Sequence, residues 1–342
     1  MLKMLFQSLS FKPLFAFPAL AVLTVWSITY GAGSPNAADS FKLLWHSLSS
    51  LSLAPLQPLL ELRIPRTLAA LLVGAALSIS GVILQNLLKN PLADSGLIGI
   101  NSGASLAVVI AVILQLHGLS LFFWAIFGAF ISALLVFALT PKNQADYSSL
   151  TRLVLAGLAI ASTFQGLMAA LLLKFQNGLD EYRFWVLGSL NRVEPQFLLI
   201  AAGFIAVGII TACLIIRPLA LSLVGDQLAQ SLGLNLKLLE LACIFAVVLL
   251  TGSAVALTGP IAFLGLIAPY FARAIGAVSI QQQLLYSGYF GMALLLAADI
   301  LARTVVQPFE APVSILLTLL GAPVLIWMVR QNNLQNIVQL EK

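Results

Sequence analysis

Charged side chains are scarce in this chain, and those placed to do chemistry stand at the ends of apolar runs. Arg63 and Arg66 flank Pro65 where one such run begins. Arg303 follows Asp299 at the end of another, and Glu310 lies shortly beyond. The spacing of Asp299 and Arg303 is one helical turn, so the two can pair along one helix face. Glu310 is placed to pair with a neighbouring arginine. The chemistry open to this set is ion pairing. An arginine this near the end of an apolar run can also simply snorkel to a polar boundary by itself.

Catalytic and metal-binding patterns are absent. No G-x-x-x-x-G-K-[ST] occurs, so nothing in the chain cradles a nucleotide phosphate in that way. Neither a nucleophile elbow nor H-E-x-x-H is present. His46 and His117 stand alone, and Cys213 and Cys243 fall inside apolar runs without C-x-x-C spacing. No metal and no cofactor are expected on this chain. If work here is driven by ATP, a separate subunit must hold the ATP and Mg.

One polar stretch interrupts the apolar runs: "VGDQLAQSLGLN", Val224 to Asn235. Asp226 can cap a helix start, Leu228 and Leu232 fall one turn apart, and Gly233 can stop the helix. The piece is too short to be a domain and too polar to cross a bilayer. It reads as a small helix lying flat under a membrane. Leu228 and Leu232 would face the protein, and Asp226, Gln227 and Gln230 a partner. A plain solvated loop is the other reading.

The elements that must position these residues follow from composition. Hydrophobic residues make up 61% of the chain and charged residues 8%, against roughly 25% charged in a soluble domain. Such a chain cannot cover a water-facing surface. The net charge of +5 is spread singly, with no basic stripe for nucleic acid. The apolar runs are continuous rather than alternating, which selects helices over barrel strands. The reading is an all-α polytopic membrane protein of about ten transmembrane helices. The spans are 14–32, 64–87, 97–116, 120–140, 151–172, 196–216, 238–258, 261–275, 284–303 and 312–330. The eighth is short. The first runs on too long for a signal peptide and lacks a clean small-residue cleavage site, so it is kept as a helix. Lys and Arg favour the inner segments when the N-terminus is inside, which puts both termini and the 217–237 segment in the cytosol. Residues 1–342 then form one transmembrane domain with a cytosolic segment at 217–237.

"PLADSGLI" (Pro91–Ile98) and "PIAFLGLI" (Pro260–Ile267) share P-x-A-x-x-G-L-I. Each precedes or opens a span, and an odd number of helices separates them, so the two copies would form an inverted internal repeat. "NPLA" (Asn90–Ala93) sits at the inner end of the second span, where Pro91 cannot continue the helix. "SLTR" (Ser149–Arg152) opens the fifth span on the same side. Asn90, Leu92, Leu150 and Thr151 either form an inner constriction or make ordinary turns. Ser162, Gln165 and Gly166 form a polar patch within the fifth span, as helix glue or as pathway lining.

Several stretches in order carry a family resemblance: "RIPRTLAALLVGAALSISGVILQNLLKNPLADSGLIGINSGAS", "FWVLGSL", "GDQLAQSLGLN", "TGPIAFLGLIAPYFAR", "AADILAR" and "FEAPVSILLTLLGAP". From about Arg63 to Arg330 the chain resembles the FecCD-type permeases of ABC importers for iron–siderophore complexes, cobalamin and haem. The resemblance implies ten helices in a bacterial inner-membrane permease. It implies a second permease subunit, as a homodimer or heterodimer, two cytosolic ATPases and an extracytoplasmic substrate-binding protein. It assigns Gly225, Asp226, Gln227, Ala229, Gln230, Leu232 and Gly233 to ATPase coupling. It assigns Arg63, Arg66, Arg303 and Glu310 to binding-protein docking, where several weak rim pairs would set register and association rate; arginines that merely snorkel are the other reading. The chain departs from the family pattern at Tyr270, where a histidine usually follows the proline, and at Ser314, where glycine is usual. The cargo implied is a ferric siderophore, with cobalamin and haem as alternatives. A proton-coupled carrier is the rival class, and it would need a relay of intramembrane carboxylates; Asp299 alone lies near such a depth.

Overall fold

The computed structural model describes residues 13–29, 62–96, 99–139, 148–175, 179–191, 193–305 and 310–330. Among them are twelve helices and no strand. In chain order these are α1 (Pro13–Thr29), α2 (Ile64–Leu87), α3 (Ile100–Ile113), α4 (Leu119–Leu139), α5 (Ser148–Lys174) and α6 (Leu179–Val186). Then come α7 (Pro195–Leu223), α8 (Asp226–Ser231), α9 (Leu236–Thr258), α10 (Leu264–Ala274), α11 (Ile280–Thr304) and α12 (Val313–Arg330). A helix lies in each apolar run marked out above. Six of them, in α2, α4, α5, α7, α9 and α11, are long and apolar enough to cross a membrane. The short helices α6 and α8 fall between runs.

The second helix is the axis of the bundle. Pro65 opens it, with a fixed φ suited to a first helical turn. Most of its length is buried, against α11 on one side and α9 and α10 on others. Lipid tails give apolar helices little reason to associate, so close backbone contact and interhelical hydrogen bonds hold them. Gly74 and Gly291 let α2 and α11 meet backbone to backbone: a Cβ on Gly74 would sit 2.5 Å from the Gly291 carbonyl oxygen. A Cβ on Gly81 would collide with the Gly265 carbonyl of α10. Thr251 Oγ1 donates to Ser80 Oγ at 3.0 Å, and Asn86 Nδ2 to Gln283 Oε1 at 3.1 Å. These bonds tie α9 and α11 to the same helix.

The two echoed segments are the breaks in this scheme, and they meet. α3 is preceded by Gly99 and α10 by Phe263, both in left-handed backbone. Gln85 Nε2 donates to Ala93 O at 3.4 Å and to Gly265 O at 3.1 Å, bridging the copies. By contrast α5 is peripheral. Little of its apolar stretch Val154–Lys174 is buried, which leaves a long face open to lipid or another chain.

Candidate functional site

Functional side chains gather at the two ends of α2, separated by roughly 30 Å of helix. At its N-terminal end Asp299 is the centre of a buried ion network. Asp299 Oδ1 accepts from Arg66 Nε at 2.9 Å and Nη2 at 2.8 Å. Its Oδ2 accepts from Arg303 Nη2, the i,i+4 pair expected from spacing. Arg66 Nη1 donates to Glu310 Oε2 and to Asn191 Oδ1, each at 2.7 Å. Arg303 Nη1 donates to the Ser27 carbonyl at 2.9 Å, and Arg63 Nη1 to that of Thr29 at 3.1 Å. Arg66 and Arg303 thus balance Asp299 and Glu310, each of their guanidinium forks meeting oxygens on more than one element, while Arg63 beside them donates to backbone carbonyls.

The fold builds this centre from distant segments. The turn after α6 docks on the end of α9 through the Ser189 N–H and Thr258 carbonyl, 2.8 Å apart, which brings Asn191 to Arg66. Ser314 donates its hydroxyl to the Leu187 carbonyl and ties α12 to that same turn. Arg63, Arg66 and Arg303 are 8%, 7% and 2% exposed. They are therefore internal groups in this conformation; Glu310 is the most accessible charged member of the network, and Asn191 is exposed.

The C-terminal end of α2 carries a second constellation. Arg273 Nη1 donates to Gln85 Oε1 at 2.7 Å. Asn90 closes a turn by accepting from Leu92 N–H at 2.9 Å on its side-chain oxygen. Asn90 and Leu92 are half-buried. Asp94 follows, buried against α10, where a Cβ on Gly265 would come 2.5 Å from its Oδ1. Burial pushes the Asp94 carboxyl up, opposed by the backbone N–H groups of Gly96 and Ser95. Lys89 Nζ reaches Asp226 Oδ1 at 3.1 Å, joining this end to α8.

The polar stretch folds as the short helix expected, with two corrections. Asp226 is not its cap. Gly225 takes that place at φ +128, a backbone suited to glycine, and no side chain caps the first turn. The Asp226 carboxylate instead turns to Lys89. Nor do Leu228 and Leu232 face the protein: they are 57% and 68% exposed, and Ala229 is the buried residue. A helix of six residues makes too few turns for hydrophobic spacing to set its face. Gln227 and Gln230 are exposed as expected. Gly233 does stop the helix, at φ +85. Its N–H donates to Gln230 O at 2.9 Å and the Leu234 N–H to Ala229 O at 3.0 Å, the double closure of a Schellman turn.

Ser162, Gln165 and Gly166 lie on the open face of α5, away from the bundle. Leu150 and Thr151 fall in its first turns, and their side chains lie outside the described residues. Lys89, Asp94, Gln85 and Asn191 had no role from sequence. Lys89 adjoins the "NPLA" turn and Asp94 sits inside the echoed motif, and those positions were the available signals.

Among the described residues this is an all-helical chain with six helices long and apolar enough to cross a membrane. A solved structure described as an inward-facing conformation of an ABC transporter matches with a TM-score of 0.79 and 26% identity, covering 94% of this chain and all of that one. The FecCD transport family model matches residues 19–331, and the chain belongs to that family. It is 35% identical over 317 residues to the hemin transport system permease protein HmuU of Yersinia pestis, covering 91% of this chain and 94% of the relative. It is 36% identical over 316 residues to the ferric enterobactin transport system permease protein FepD of Escherichia coli, covering 91% and 92%.

Proposed function

We propose that this chain is the permease subunit of an ATP-driven importer that carries a ferric siderophore across the bacterial inner membrane. The observation that carries the reading is α8. It is a six-residue helix set between two long apolar helices, seated by one buried alanine, with Leu228, Leu232, Gln227 and Gln230 turned outward. Such a knob is a surface for a partner. In this reading Gly225, Asp226, Gln227, Ala229, Gln230, Leu232 and Gly233 transmit the closure of a separate ATPase subunit, which binds the ATP and Mg. That end of the molecule is cytosolic, as are both termini, and ten helices cross the bilayer. The shared P-x-A-x-x-G-L-I segments support an inverted repeat beneath that count. Asn90, Leu92, Leu150 and Thr151 lie toward the inner mouth of the path, and Ser162 and Gln165 line it against a second permease subunit.

The opposite end receives the extracytoplasmic binding protein. A docking side chain would meet Glu310 and the exposed Asn191 first, and Glu310 would repel a docking carboxylate. It would reach Arg63, Arg66 or Arg303 only by exchanging with their internal partners. The siderophore assignment draws on the relative named for ferric enterobactin; the one named for hemin supports haem as a second reading, with cobalamin the remaining alternative. Uptake decides among them. A strain deleted for this gene should lose uptake of labelled ferric enterobactin or a ferric hydroxamate and keep that of haemin and cyanocobalamin. Loss of haemin uptake alone would move the assignment to haem.

A further inference from the structure

Lys89 stands just past the end of α2 with its backbone in the left-handed region, φ +48. Glycine is the usual residue at such a helix exit, because a Cβ is strained there. The turn is nonetheless closed on both sides: Lys89 N–H donates to Asn86 O at 3.2 Å, and Asn90 N–H to Gln85 O at 3.0 Å. Strain of this kind, held by its surroundings, points to a use for the side chain. That side chain spans to Asp226, the first residue of α8, 137 positions away. The next residues, Asn90–Ala93, form the turn that Gln85 bonds at Ala93. Asp94 then packs against Gly265 of α10.

We infer that Lys89 is a positioning residue that links α8 to the Asn90–Ala93 turn, so that displacement of α8 pulls on the end of α2 as well as on α7 and α9. The inference rests on the coupling role given to α8 above. Both partners are substantially exposed, 42% for Lys89 and 59% for Asp226, so the pair is weak and screened by salt. A link that must be broken and remade in each cycle has that character; a permanent brace would be buried.

The complete transporter, with its ATPase and binding-protein subunits in proteoliposomes, tests this. The reading is substrate taken up per ATP hydrolysed, with labelled ferric enterobactin, haemin and cyanocobalamin run in parallel as probes. Lys89→Ala should lower that ratio several-fold. Lys89→Gly should do the same, since it relieves the backbone but removes the charge. The double variant Lys89→Ala with Asp226→Ala should be no worse than the worse single one, and Lys89→Glu with Asp226→Lys should recover part of the loss of Lys89→Glu. An unchanged ratio in Lys89→Gly, or additive losses in the double variant, would overturn the link while leaving the importer reading intact. No ATP-dependent uptake of any probe by the unaltered complex would overturn both.

Discussion

Asp299 shows what a single carboxylate does in an apolar bundle. It is fully buried, and its two oxygens hold the guanidinium groups of Arg66 and Arg303 on different helices. Removing it leaves two buried cations short of their main partner, and breaking a buried pair in this way costs about 3–5 kcal/mol. Asp299→Ala should therefore lower the melting temperature of the detergent-solubilised protein strongly. Lys89→Ala, which breaks an exposed pair, should change stability by about 1 kcal/mol or less. Equal shifts in the two melting curves would show that the Asp299 network is not structural. Part of this network was legible in sequence. Asp299 and Arg303 are one turn apart, and Glu310 was free to find an arginine. The Arg66–Asp299 bond was not legible, because the partners are 233 residues apart and only the packing of α2 on α11 brings them together. The same packing buries arginines whose place at run ends gave no sign of burial.

At the scale of the element, α8 is the test case. Its end was readable because Gly233 has a backbone role that sequence exposes, whereas its cap and its facing were not, because so short a helix has no periodicity to read. Gly233→Val puts a β-branched side chain into left-handed backbone, at a cost of roughly 1–2 kcal/mol. Ala229→Leu forces a large side chain into a site that is fully closed. Both changes lie outside the long apolar helices, so membrane insertion and yield should be normal. What should fall is co-purification of the ATPase subunit, or transport per ATP where the complex survives. Normal assembly and normal coupling in both variants would mean that α8 is a solvated loop and that the partner binds elsewhere.

For the molecule as a whole, composition dictated the class, and continuous apolar runs dictated helices. The runs also located the helices well: 64–87 coincides with α2, and 238–258 differs from α9 by two residues at one end. The eighth run is short in the sequence and α10 within it is short in the fold, but nothing in the third run showed that α3 would start only after a left-handed Gly99. Nor could it predict that the two echoed segments would touch through Gln85. The fold that results has a tight axis of glycines and small polar bonds around α2 and an open flank on α5. It holds an ion network at one end and a partner-sized knob at the other. Those two ends need a rigid path between them if one is to answer the other, and α2 supplies it. The account stands on the energy source being ATP at the α8 end. Uptake of the accepted chelate should be followed in membrane vesicles loaded with ATP, before and after a protonophore collapses the proton gradient at constant ATP. The account predicts that uptake continues at its former rate with the protonophore and stops when ATP is withdrawn. Uptake that ceases with the gradient while ATP is unchanged would contradict it and make the protein a proton-coupled carrier.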